Sequence, residues 1–142
     1  MQSEARRIQA TIADLAAVTA DCPRIAEAAA STWREIHAAL SPVIGPGGVA
    51  ALYQRSLHLT RAAHPALAAV REDATRPGAY AALQLMLSQQ TSEQIAAING
   101  ALLQTFCDLL ESLIGISLTE RLLQAVRNLP AASNPAPQRE LP

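Results

Sequence analysis

The apolar positions of the chain recur at helical steps almost from end to end. Ile8, Ile12 and Leu15 make a first short stripe. Ile25, Ala29, Thr32, Ile36, Leu40 and Val43 follow at three- and four-residue steps, one face of a second helix. Pro23 sits where a first-turn proline belongs, just after Asp21, whose side chain can cap that turn. Ile44-Gly45-Pro46-Gly47-Gly48 ends the stripe. A third helix is expected over 49–63, buried through Leu52, Ser56 and Leu59, with Tyr53 and Leu57 beside them. His64 precedes Pro65, whose ring disfavours helix at the residue before it.

Residues 64–80 read as a connection with one short helix at 66–72, and residues 79–90 as a fourth helix. Thr91 or Ser92 caps a fifth, with Gln94 placed to answer Thr91. Its stripe runs through Ile95, Ile98, Leu102, Phe106, Leu109 and Leu113. Asn99-Gly100 would normally mark a turn, but the periodicity passes through it. Gly100 is therefore read as a close-packing point. Ile114-Gly115 breaks the helix, and Ser117 with Glu120 forms a capping box for a sixth over 118–128. No strand pattern of any length is present. The pattern predicts an all-α fold, a bundle of about six helices with joints short enough for antiparallel neighbours. It forms a single domain over 1–129. The polar, proline-rich tail 130–142 has the composition of a disordered segment.

Ile44-Gly45 recurs as Ile114-Gly115, 70 positions later. At the same offset Leu15 meets Leu85, Ile25-Ala26 meets Ile95-Ala96, Leu40 meets Leu110, Leu52 meets Leu122 and Gln54 meets Gln124. Ile36/Phe106 and Val43/Leu113 fit the register without a gap. The expectation is two tandem three-helix units, 8–63 and 78–128, related by a pseudo-two-fold, with Gly45 and Gly115 as equivalent structural joints. Amphipathic helices rich in Ala and Leu also match one another by chance, so the dense cluster from 40 to 54 carries most of the weight.

Composition sharpens this picture. Half of the chain is apolar, 16% is charged and only 3% is aromatic. That is a globular composition with a low charge density. All 11 basic residues are Arg, a usage that fits a GC-rich bacterial genome. The net charge of −1 gives no broad footprint for nucleic acid or an anionic membrane. Asp14 interrupts the N-terminal apolar stretch and Glu4 lies where a leader would be basic, so no signal peptide is expected. No apolar run approaches the length that spanning a bilayer needs. Cys22 and Cys107 are far apart and lack metal-like spacing, so reduced thiols and a cytoplasmic location are expected.

Candidate chemistry is sparse. Ile44-Gly45-Pro46-Gly47-Gly48 has the glycines of a phosphate loop but follows a helix, and the chain contains no Lys. The turn-and-cap reading is preferred. Asp108 and Glu111 share a helical face, the spacing of a metal or acid–base pair, but no Glu-x-x-His accompanies them, and a solvated face is the preferred reading. Glu72-Asp73 falls in the connection. His37, Cys107 and Trp33 make no recognisable triad, and Trp33 reads as an anchor at the core edge or an interface. With a single Phe the chain is poorly equipped to wall in a haem. No metal or cofactor is expected.

Gln54, Arg55, His58 and Arg61 form one polar strip on the third helix, so His58 should be exposed. Guanidiniums on both sides would offset the charge of a phosphoryl group on the imidazole. The run His58-Leu59-Thr60-Arg61-Ala62 resembles the His-x-Leu-Lys-Gly motif of histidine phosphotransfer domains. Arg61 and Ala62 replace the family's Lys and Gly, and Thr60 replaces its Leu. The resemblance covers these five residues and implies His58 as a phosphoacceptor in a two-component relay. The Ala-lined helix surfaces favour a different default. That default is a non-catalytic regulatory or adaptor protein acting by protein–protein interaction, with Arg55, His58 and Arg61 as binding residues. The expected partner is a protein or the chain itself as a homodimer, through the first or the fifth helix. A small-ligand-sensing regulator is a further alternative.

Overall fold

The computed structural model describes residues 4–19, 21–70 and 80–126. Among them the chain forms five α-helices and no strand: α1 (Glu4–Val18), α2 (Cys22–Thr60), α3 (Ala81–Ser88), α4 (Ser92–Ile114) and α5 (Ile116–Leu123). A 3-10 turn spans Pro65–Ala69. The all-α class is as the periodicity predicts. The helix count is five where the pattern gives about six, because the expected second and third helices form one element. They meet at Gly45, whose φ of 82° and ψ of 152° are non-helical, and helical geometry resumes directly at Pro46. The expected start at Val49 is therefore three residues late.

Local chemistry sets most of the boundaries. Asp21 Oδ1 accepts from Arg24 N at 3.2 Å, and Pro23 follows in the first turn. Thr91 and Gln94 form the expected capping box: Gln94 N donates to Thr91 Oγ1 and Thr91 N donates to Gln94 Oε1, both at 3.1 Å. The box expected at Ser117 and Glu120 does not form. Gly115 ends α4 and starts α5 in one residue, so α5 begins at Ile116 without a side-chain cap. The short helix expected at 66–72 is the 3-10 turn, and residues 71–79 and 127–142, including the tail, lie outside the described residues.

The core lies where α2 crosses α4. Helix α1 packs chiefly on α4, and α3 chiefly on α2. All four of the chain's Trp, Tyr and Phe residues gather in this core. Trp33 lies 5.3 Å from Tyr53, 5.9 Å from Tyr80 and 5.2 Å from Phe106 between ring centroids. Trp33 is thus the centre of the core, 1% exposed, and not its edge. Tyr80 is the only non-Gly residue with positive φ (55°) among those described.

Several expected core positions are corrected: Val43 is 45% exposed and Leu109 half-buried, and others follow on both long helices. On α4, Ile95, Ile98, Leu102 and Phe106 are buried as predicted, but Leu110 takes the next place while Leu113 is 61% exposed. On α2, Tyr53, Ser56, Leu57 and Thr60 are buried, whereas Leu52 is half-buried and Leu59 is 43% exposed. In both helices apolar side chains occupy two adjacent faces, and the neighbouring helices decide which one is covered.

Helices α2 and α4 begin at Cys22 and Ser92, 70 positions apart, each after a side-chain cap. Their buried positions match at that offset: Ile25/Ile95, Ala28/Ile98, Trp33/Leu103, Ile36/Phe106 and Leu40/Leu110. Gly115, with φ of 92° and ψ of 158°, has nearly the conformation of Gly45. Both lie in a region that only glycine adopts without strain.

Candidate functional site

The strip around His58 is laid out by the second arm of α2, residues 46–60. Val49, Tyr53, Ser56, Leu57 and Thr60 point inward and fix the rotation of the arm. That rotation leaves Gln54, Arg55, His58 and Arg61 exposed. His58 stands in the last turn of α2, where cationic groups favour the negative end of the helix dipole. His64 is half-buried and starts the 3-10 turn with φ of −131° and ψ of 82°, outside helical geometry, as Pro65 demands.

The other candidates are dispersed. His37 is half-buried on the first arm of α2, its ring 6.4 Å from that of Tyr80, and its Nδ1 is buried without a hydrogen-bond partner among the described residues. Asp108 is exposed and accepts from Gln104 Nε2 at 2.9 Å. Glu111 is half-buried. Among the described residues no three His, Cys, Asp or Glu side chains come together as a metal site. Cys107 is buried, and burial, with the Glu111, Asp108 and Glu120 carboxylates adding to it, pushes its thiol up to about 12. A thiol so held stays protonated and is a poor nucleophile.

Two features were not foreseen from the sequence. The first is the set of large apolar side chains at the glycine joints: Val43 is 45% exposed, Leu113 61% and Ile116 65%. Periodicity alone assigns Val43 and Leu113 to the core. Helix α2 also contains a stretch of mean hydropathy 1.2, long enough by length and composition to cross a membrane, of which 22% is buried. Run length along the sequence alone gives no such stretch.

The second is a difference in charge between the two joints. No Asp or Glu occurs between Glu35 and Glu72, a span that holds Arg55, Arg61 and all three histidines. Around Gly115 the order is Asp108, Glu111, Glu120 and Arg121. The spacing of charges along the chain carries this signal; the exposure of the neighbouring aliphatic side chains requires the structure. Compared with family models, curated proteins and solved structures, the chain matches none.

Proposed function

We propose that the chain is a non-catalytic helical regulatory or adaptor protein that works by protein–protein association. The observation that carries this reading is the exposure of Val43, Leu113 and Ile116 beside the two glycine joints. Leu113 and Ile116 flank Gly115 in the sequence, and large aliphatic side chains left in water there offer surface to bury against another protein. The same reading takes the chain as two tandem three-helix units about a pseudo-two-fold. Its support is the shared offset of helix starts, buried positions and glycine conformations. The test is mass by light scattering across concentration, together with a pull-down on tagged full-length chain. A strictly monomeric mass with no co-purifying partner sinks the reading.

A second reading is favoured by one observation: His58 is exposed on a helix that also exposes Arg55 and Arg61. On this reading the imidazole takes a phosphoryl group from a donor, and the guanidiniums offset its charge. Incubation with acetyl phosphate should then add one phosphate and release acetate, and His58→Ala should abolish the addition. An unmodified wild-type chain, with acetyl phosphate and with a sensor kinase, rules it out.

A further inference from the structure

We infer that the partner is a second copy of this chain, held by reciprocal contacts between the basic arm of α2 and the acidic joint at Gly115. The inference rests on the association reading above and specifies its surface. Each surface sets an exposed aliphatic side chain one helical turn from a charge. On α2 these are Leu59, 43% exposed, and Arg55 four residues before it. On α5 they are Ile116, 65% exposed, and the half-buried Glu120 four residues after it, whose Oε1 also accepts from Glu4 N at 2.8 Å. Side chains four apart on a helix lie on one face. The two pairs have the same spacing, in opposite chain order, and opposite charge.

The surroundings extend the match. Arg61 and His58 add to the basic side, and no carboxylate lies on α2 after Glu35. Leu113 adds apolar surface on the other side, and Glu111 and Asp108 add acid, against Arg121 on α5 and Arg7, which is paired with Glu4 beside it. Like surfaces would not pair: two basic arms repel, as do two acidic joints. One copy's arm on the other's joint satisfies both terms. In a two-fold dimer each such contact occurs twice, so the assembly closes and does not propagate as a fibre. The aliphatic side chains supply the burial, and the charges fix the register and quicken the encounter.

The experiment is sedimentation equilibrium and light scattering on the full chain, with circular dichroism confirming that each variant is folded. The wild type is expected to dimerise, and the dimer to weaken as salt rises from about 50 mM to about 500 mM, where charges screen over shorter distances. Ile116→Arg and Arg55→Glu should each raise the dissociation constant at least tenfold, about 1.4 kcal/mol. Combining Arg55→Glu with Glu111→Arg should recover part of the loss that Arg55→Glu causes alone. A dimer indifferent to Ile116→Arg, Arg55→Glu and salt overturns the inference and leaves the association reading standing. A monomer that captures a different protein does the same. A monomer with no partner overturns both.

Discussion

Trp33 Nε1 donates to Asn99 Oδ1 at 2.8 Å in the centre of the core, and both side chains are 1% exposed. The bond ties α2 to α4 where the two helices cross, between residues 66 apart in the chain. At an offset of 70 positions Trp33 meets Leu103, and Asn99 meets Ala29. The pair therefore exists once and fixes the crossing asymmetrically. Replacing the acceptor leaves a buried N–H without a partner, which costs roughly 1–3 kcal/mol. Asn99→Leu keeps the bulk and removes the acceptor. It should lower stability by that amount in urea unfolding followed by far-UV circular dichroism. The loss should shrink in a Trp33→Phe background, because the orphaned donor is gone. Equal losses in both backgrounds would mean the bond is not the cause.

Gly45 and Gly115 should behave alike, and unlike Gly100. At φ of 82° and 92° with ψ near 155°, a Cβ is strained whatever space surrounds it. Gly45→Ala and Gly115→Ala should each cost on the order of 1–3 kcal/mol, although nothing lies within 4 Å of either added methyl. Gly100 is helical, and a Cβ there meets Gln9 Oε1 at 3.5 Å, an ordinary contact. Gly100→Ala should stabilise by about 0.5–1 kcal/mol, since alanine loses less backbone entropy in a helix. Thermal unfolding of the three variants gives the ranking, and a destabilised Gly100→Ala would show that the α1–α4 contact cannot yield.

The features legible in the sequence are those decided locally. Asp21 with Arg24 and Thr91 with Gln94 are caps written within four residues, and both form. His58 is exposed because Gln54, Arg55 and Arg61 dictate a polar strip around it. The choice between adjacent apolar faces is not local. Leu57 and Leu59, or Leu110 and Leu113, are equally apolar, and only the packing of neighbouring helices determines which is covered. The aromatic cluster is likewise tertiary, since Trp33 and Tyr53 come from the two arms of α2, Phe106 from α4 and Tyr80 from the cap of α3. For the proposed contact, the charge of the arm and of the joint is visible in the spacing of residues, while the exposure of Ile116 is not.

Arg7 should be the residue that keeps α5 in place. Its Nη2 donates to the backbone oxygens of Leu123 at 3.2 Å and Val126 at 2.9 Å, and Glu4 pairs with its Nε. The carbonyls at the end of a helix have no partners within it, so a guanidinium from α1 satisfies them across the fold. Arg7→Ala should cost about 1–2 kcal/mol, discounted from a fully buried charged bond because the site is part-exposed. Hydrogen exchange should show the loss concentrated in α5 and the start of α1. A uniform increase across all helices would mean that Arg7 supports the bundle as a whole.

Cys107 should report on alkaline unfolding. Burial first, then Glu111, Asp108 and Glu120, raise its thiol from 9.0 to about 12. The unfolded chain releases this proton near the ordinary value, while the folded chain keeps it. The stability tied to the neutral thiol is therefore complete below pH 9 and is lost as pH rises from about 9 towards 12. Cys107→Ala removes that dependence along with some packing. Its stability should be lower at pH 7, and the gap to the wild type should narrow as pH rises above 9. In native protein at pH 8, a thiol reagent should label the half-exposed Cys22 and spare Cys107, with both labelled in denaturant. Rapid native labelling of Cys107 would mean that α4 opens locally around it, and a gap constant with pH would mean the thiol is not held neutral by the fold.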